Sequence, residues 1–317
     1  MNYSIDNFVP YLVSKMKDKK PYFLARIGGS DFEIMTEYIH MKEDKKTNIL
    51  ETEKFDKFVK VVSNYNGYFN RKPHPERSKK IFEQYLNIMA DSFKNCSDFT
   101  YGGFRAIERM EGRHVKKYKH FDYYVNKYLK AGPTKNYVTY TFLESVYPFL
   151  NAFKQFAEKK KILVVSPFSP AIQQQFLKKD KIINNYQYPD FKLVTYTTPI
   201  TYNNDKDEMP FIKTKNWVEQ TELMCEEITK LDFDIALLSC GSYAMPLGDH
   251  IFRKMGKKAI YVGGILNVLF NIYGGRYNTT FFNSIMNLEH QIKFEPEIYK
   301  DIKGGRIEKT EAFNAYF

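Results

Sequence analysis

Cysteine is scarce. Cys96, Cys225 and Cys240 are the three thiols in 317 residues, odd in number and without CxxC spacing, which leaves neither a disulfide framework nor a thiolate metal site and makes reduced thiols the expected state. No uninterrupted apolar run approaches the roughly 20 residues of a membrane span. The opening "MNYSIDNFVPYLVSKMKDKK" lacks the ordered basic, apolar and small-residue zones of a signal peptide, so a cytoplasmic location is expected. The six histidines, His40, His74, His114, His120, His250 and His290, show no HExxH or other ligand spacing, and neither a zinc site nor a Ser-His-Asp triad is assigned. No G-x-x-x-x-G-K-[ST] occurs, and "GGSDFE" lacks the spacing of a dinucleotide fingerprint. An ATPase and a dinucleotide-dependent dehydrogenase therefore lose support.

Arginine is also rare. The formal charge of +11 rests on 48 basic against 37 acidic residues, and only nine of the basic residues are Arg. Nucleic-acid readers cluster Arg and Lys on one element. Here the lysines are dispersed apart from short runs such as Lys159 to Lys161 and "KKDK" at 178 to 181, which read as solvated faces. No nucleic-acid partner is expected, whereas the positive surplus suits a nucleotide diphosphate or peripheral contact with an anionic membrane.

What the chain does have is core-forming material, 43% hydrophobic residues, organised in an alternating pattern. Six short β-branched or aromatic runs are bounded by turn residues: "YFLARI" (22–27), "YVTYTF" (137–142), "KILVVSPF" (161–168), "KLVTYT" (192–197), "FDIALLSCG" (233–241) and "KAIYVGG" (258–264). They read as buried strands. Segments with helical spacing lie between them, including "SDFEIMTEYI", "ERSKKIFEQYLNIMADSF", "LESVYPFLNAFKQFAEKK", "NWVEQTELMCEEITKL" and "MPLGDHIFRKMG". The alternation predicts an α/β fold: a Rossmann-like, mainly parallel sheet flanked by helices, in a single domain over 1–317. Residues 65–135 are less regular and are expected to form a helical insertion beside the sheet.

In an open parallel sheet, ligands bind at the carboxyl ends of the strands. Four exits are rich in small and polar residues: "RIGGSDFE", "SPFSPAIQQQ", "CGSYAMPLGDH" and "GGILNVLFNIYGGRY". Glycine there lets a backbone approach a phosphate, and a following helix start supplies amides. Gly241 and Ser242 fit that use, and equally fit a tight turn with an N-cap. Asp31 and Glu33 admit two readings. They complement a helix N-terminus, or they are hard oxygen ligands that reach Mg²⁺ or Mn²⁺ and so neutralise a diphosphate. Arg26, two residues before Gly28, is either a second anion clamp or the partner of an acidic neighbour.

The combination of "RIGGSDFE", "KILVVSPFSPAIQQQF" and "CGSYAMPLGDHIFRKMGKKAIYVGGILNVLFNIYGGRY" resembles a group of glycosyltransferases of bacteria and large DNA viruses, and its early segment resembles the Asp-x-Glu segment of the GT-D type. That resemblance implies transfer of a sugar from a nucleotide-sugar donor to a glycan or lipid-linked glycan acceptor, in surface polysaccharide or glycoprotein glycan synthesis, in the host cytoplasm where the source is viral. It places Asp31 and Glu33 at the catalytic and metal site, with a divalent cation, Mn²⁺ or Mg²⁺, and Arg26, Gly28 and Gly29 beside them. Ser166, Gly241, Ser242, Tyr243, Gly263, Gly264, Asn267 and Arg276 would line the rest of the donor cleft. The GT-D pattern commonly reads Arg-x-Gly-Asp-Gly-Glu, whereas here the carboxylates follow Gly28-Gly29-Ser30, a shifted register that bears on metal dependence. If the transfer inverts, Glu33 or Asp31 is the candidate base, with Glu144 and Asp249 behind them. Two rival classes stay open: a Rossmann-like methyltransferase, and a basic protein that binds nucleic acid or glycans without catalysis.

Overall fold

In the computed structural model, residues 2–3, 5–28, 31, 34, 55–71, 75–101, 135, 137–138, 142, 145–201, 212 and 214–293 are described. Their elements, in chain order, are β1 (Asn2–Tyr3), α1 (Ile5–Lys17), β2 (Tyr22–Ile27), α2 (Phe55–Asn66), α3 (Pro75–Asn95), β3 (Asp98–Tyr101) and β4 (Tyr137–Val138). Then come α4 (Val146–Ala157), β5 (Lys161–Ser166), α5 (Ser169–Phe176), β6 (Lys192–Thr197), α6 (Trp217–Thr229), β7 (Ile235–Leu238), α7 (Ala244–Arg253), β8 (Lys258–Tyr261), α8 (Ile265–Leu269) and α9 (Thr280–Ile285).

The strands form one sheet in the order β1-β4-β3-β2-β8-β7-β5-β6, and every pairing is parallel. All described strand exits therefore share one edge. Strand alternation sorts the core into two layers. Phe23, Ala25 and Ile27 of β2 face one layer with α2, α3, α6 and α7, while Tyr22 and Leu24 face the other with α1, α4, α5 and α8. Both faces are covered, which is why β5 and β7 are continuous apolar runs rather than half-polar ones.

Two local devices set the exits. Helix α6 starts on Asn216, whose side-chain oxygen accepts from the Glu219 N–H at 3.0 Å, and the Glu219 carboxylate accepts back from Asn216 Nδ2 and Lys215 N, both at 2.9 Å. This reciprocal cap fixes where the helix begins. Helix α7 lies directly on β2 because Gly248 has no side chain: a Cβ there would stand 2.2 Å from the Phe23 ring.

The segment expected as a helical insertion, 65–135, is described in part. It supplies α3, whose Phe82, Tyr85 and Phe93 are buried in the core, and β3, which pairs with β2 inside the sheet. The run "YVTYTF" is described as a strand at 137–138. Among the described residues, no helix is long and apolar enough to cross a membrane.

Candidate active site at the β2–β8 edge

β2 and β8 are neighbours whose chains leave in opposite directions. After β2 the chain turns toward the α2–α3 layer, where Ile34 is buried; after β8 it turns into α8 on the other layer. Divergent connections of this kind open the carboxyl edge of an α/β sheet to ligands.

Arg26 stands at that edge, partly exposed, with its guanidinium carbon 5.6 Å from the centre of the Tyr261 ring. The backbone of Gly263 passes beside it: φ is +62°, and a Cβ would lie 3.2 Å from the Arg26 guanidinium. Only glycine takes that turn without strain. Gly264 follows, so close to Tyr277 that a Cβ would lie 2.3 Å from the phenol oxygen. One turn on, Asn267 is 1% exposed, and neither its amide nitrogen nor its oxygen has a hydrogen-bond partner. On β3, Thr100 is in register with Arg26, fully buried, with its hydroxyl likewise unpartnered. Buried polar atoms are normally satisfied. Thr100, in register with Arg26, and Asn267, one turn after Gly263, thus have hydrogen-bonding capacity to spare at this edge.

Asp31 is 8% exposed. Its Oδ2 accepts from the Gly28 N–H at 2.8 Å and its Oδ1 from Asn66 Nδ2 at 3.0 Å. Burial raises its pKa; the Gly28 amide, the Arg26 charge and the Asn66 amide oppose that rise in decreasing order. The hydrogen bonds continue inward. The Trp217 indole N–H donates to Ser242 Oγ at 3.0 Å, and the Ser242 hydroxyl donates to the Asn66 carbonyl. Asp31 therefore closes the Gly28 turn in the way a helix-capping carboxylate does. Glu33 and Gly29, and the weaker base candidate Glu144, lie outside the described residues.

Of the two carboxylates expected at a metal, Asp31 alone is among the described residues. Among the described residues no three His, Cys, Asp or Glu side chains converge, and both Asp31 oxygens hold the loop.

The other expected residues divide. Gly28 and Arg26 sit together with Gly263, Gly264 and Asn267, while Arg276 is exposed on the Gly275–Tyr277 turn. Ser166 is fully buried; its Oγ accepts from the Phe168 N–H at 3.2 Å and its carbonyl from the Ser169 hydroxyl at 2.7 Å. Gly241 takes φ +60° in the turn into α7. Ser242 and Tyr243 are each 2% exposed, and Tyr243 stacks on Trp217 at 5.3 Å. Ser166 and Ser242 thus spend their hydrogen bonds on turns and core, and the Tyr243 ring packs on Trp217. Asp249 is held by Arg253 through two hydrogen bonds of 2.6 Å. Asn66, Thr100 and Tyr261 were not singled out from sequence; a threonine among the aromatics of "DFTY" was the one available signal.

A family model for GT-D fold-like domains matches residues 110–269, just over half of the chain. The chain belongs to the GT-D fold-like domain family. The GT-D-like match spans β4 through α8 and includes Gly263, Gly264 and Asn267, whereas Arg26 and Asp31 lie before it. Two solved structures are similar over most of their length. One is described as the highly conserved domain of unknown function 1792, with a distinct glycosyltransferase fold; it is 12% identical, with a TM-score of 0.46, over 95% of this chain and 93% of that one. The other is a selenomethionine-substituted structure of domain of unknown function 1792, 14% identical, with a TM-score of 0.45 over the same shares. No curated protein matches the sequence.

Proposed function

We propose that this GT-D-like chain is a glycosyltransferase that moves a sugar from a nucleotide-sugar donor to a glycan or lipid-linked glycan acceptor. Membership of the GT-D fold-like family is the observation that carries the reading. The β2–β8 edge supports it chemically. Arg26 offers a bidentate cation to a leaving diphosphate, in a partly buried place where charge stabilisation is strong. Gly28, Gly263 and Gly264 keep side chains out of the way, so that backbone and phosphate approach. Asn267 presents one donor and one acceptor to a sugar hydroxyl or a base edge, and Arg276 is a second cation on the rim. Asp31 holds the Gly28 turn, and Glu33 takes the role of base for the acceptor hydroxyl. Surface polysaccharide or glycoprotein glycan synthesis is the proposed setting.

The test is a thermal-shift screen of the full chain against UDP, GDP, CMP, dTDP and S-adenosylmethionine, each with and without Mn²⁺ or Mg²⁺. One nucleotide is expected to stabilise the fold, by about 2.7 kcal/mol at a hundredfold excess over its Kd. A shift with S-adenosylmethionine alone would favour a methyltransferase. No shift at all, with heparin retention lost at modest salt, would favour a polyanion-binding protein.

A further inference from the structure

We propose that the exposed ring pair Tyr147 and Phe281 is a saccharide platform and serves as the acceptor subsite, an assignment that rests on the transferase reading for its role but not for its binding. Tyr147 is 54% and Phe281 47% exposed, and they meet edge to face, with ring centres 6.3 Å apart and planes at 87°. Their place in the fold follows from the chain. Helix α4 ends four residues before β5 starts at the amino edge of the sheet, so its first turn, with Tyr147, stands at the carboxyl edge. Phe281 reaches the same edge through an aromatic ladder. It contacts Phe282 at 5.2 Å, Phe282 contacts Tyr277 at 5.5 Å, and the Tyr277 hydroxyl rests against Gly264 in the proposed donor site. The ladder links the ring pair to that site through the buried Tyr277.

The occupant follows from size and chemistry. An aromatic side chain carries about 150–250 Å², so two half-exposed rings offer roughly 200 Å². A stable protein partner covers about 800 Å² on each side. One pyranose face, by contrast, is matched: its axial C–H bonds point at the negative face of a ring, and its hydroxyls need polar neighbours. Asn278 and Thr280, in the same segment as Phe281, are exposed. A lipid surface would call for several basic residues, and the segment from Gly274 to Ser284 has one, Arg276, and no carboxylate.

Saturation-transfer NMR of the full chain with methyl β-glucoside, cellobiose, lactose and chitobiose, run beside the UDP thermal shift, tests this. At least one saccharide should receive saturation on its ring-face protons. Tyr147→Ser and Phe281→Ser, both at exposed positions, should weaken it about tenfold while keeping the parent melting temperature and nucleotide shift. No saturation transfer in the parent, or undiminished transfer in both variants, overturns the platform. Saccharide binding without any nucleotide shift would sink the transferase reading and leave the platform standing; a nucleotide shift without saccharide binding would do the reverse.

Discussion

At the scale of single residues, Asp31 and Ser242, both expected at the donor site, spend their hydrogen bonds on holding the fold. A buried carboxylate whose pKa is raised binds its proton more tightly in the fold than in the unfolded chain. Asp31 should thus cost stability as pH rises from its unfolded value of 3.8, until the raised folded value is passed and the cost levels off. Urea unfolding of the parent and of Asp31→Asn across pH 4–8 checks the sign: the parent should lose ground to the variant over that window. A flat difference would mean that the Gly28 amide and Arg26 fully offset burial. Ser242→Ala leaves the buried Trp217 indole N–H without its acceptor, and should cost about 1–3 kcal/mol with nucleotide affinity unchanged. A loss of nucleotide binding at parent stability would instead return Ser242 to the donor cleft.

At the scale of elements, close contacts decide which substitutions the sheet tolerates. Gly248→Ala pushes a methyl group into the Phe23 ring and should cost roughly 1–3 kcal/mol, partly recovered in the double variant with Phe23→Leu; additive losses would show that the two do not press on each other. β2 and β6 were legible to the residue, because each is a β-branched or aromatic run between turn signals. β3 was not, since four residues are too few for a period to show, and its neighbour α3 dominates the segment. Helix α1 carries Pro10 in its interior, a residue that usually argues against a helix, and its apolar face emerges only through packing on α4. The capping role of Asp31 was written in its place after Gly28. Asn66 carried no signal, because it comes from the end of a helix 35 residues away and joins Asp31 only once the sheet has formed.

At the scale of the whole molecule, three pairs of neighbouring exits, β2–β8, β8–β7 and β7–β5, compete for the ligand, because the chain leaves β2 and β7 toward one layer and β8 and β5 toward the other. Topology alone does not choose among them. The cation does. Buried polar groups without a protein partner stand at both ends of this row, Thr198 and Tyr243 at β5–β7 and Thr100 and Asn267 at β2–β8, whereas of these pairs of exits only β2–β8 carries a basic side chain, Arg26. An anionic ligand gains most at the β2–β8 edge, where a partly buried guanidinium meets it. Hydrogen exchange with and without the stabilising nucleotide reads this directly. Amides at 26–28 and 261–267 should slow several-fold while those at 166–169 and 241–243 keep their rates. Protection confined to the latter two segments would move the donor to the β5–β7 exits and make the unpaired Asn267 a feature of packing alone.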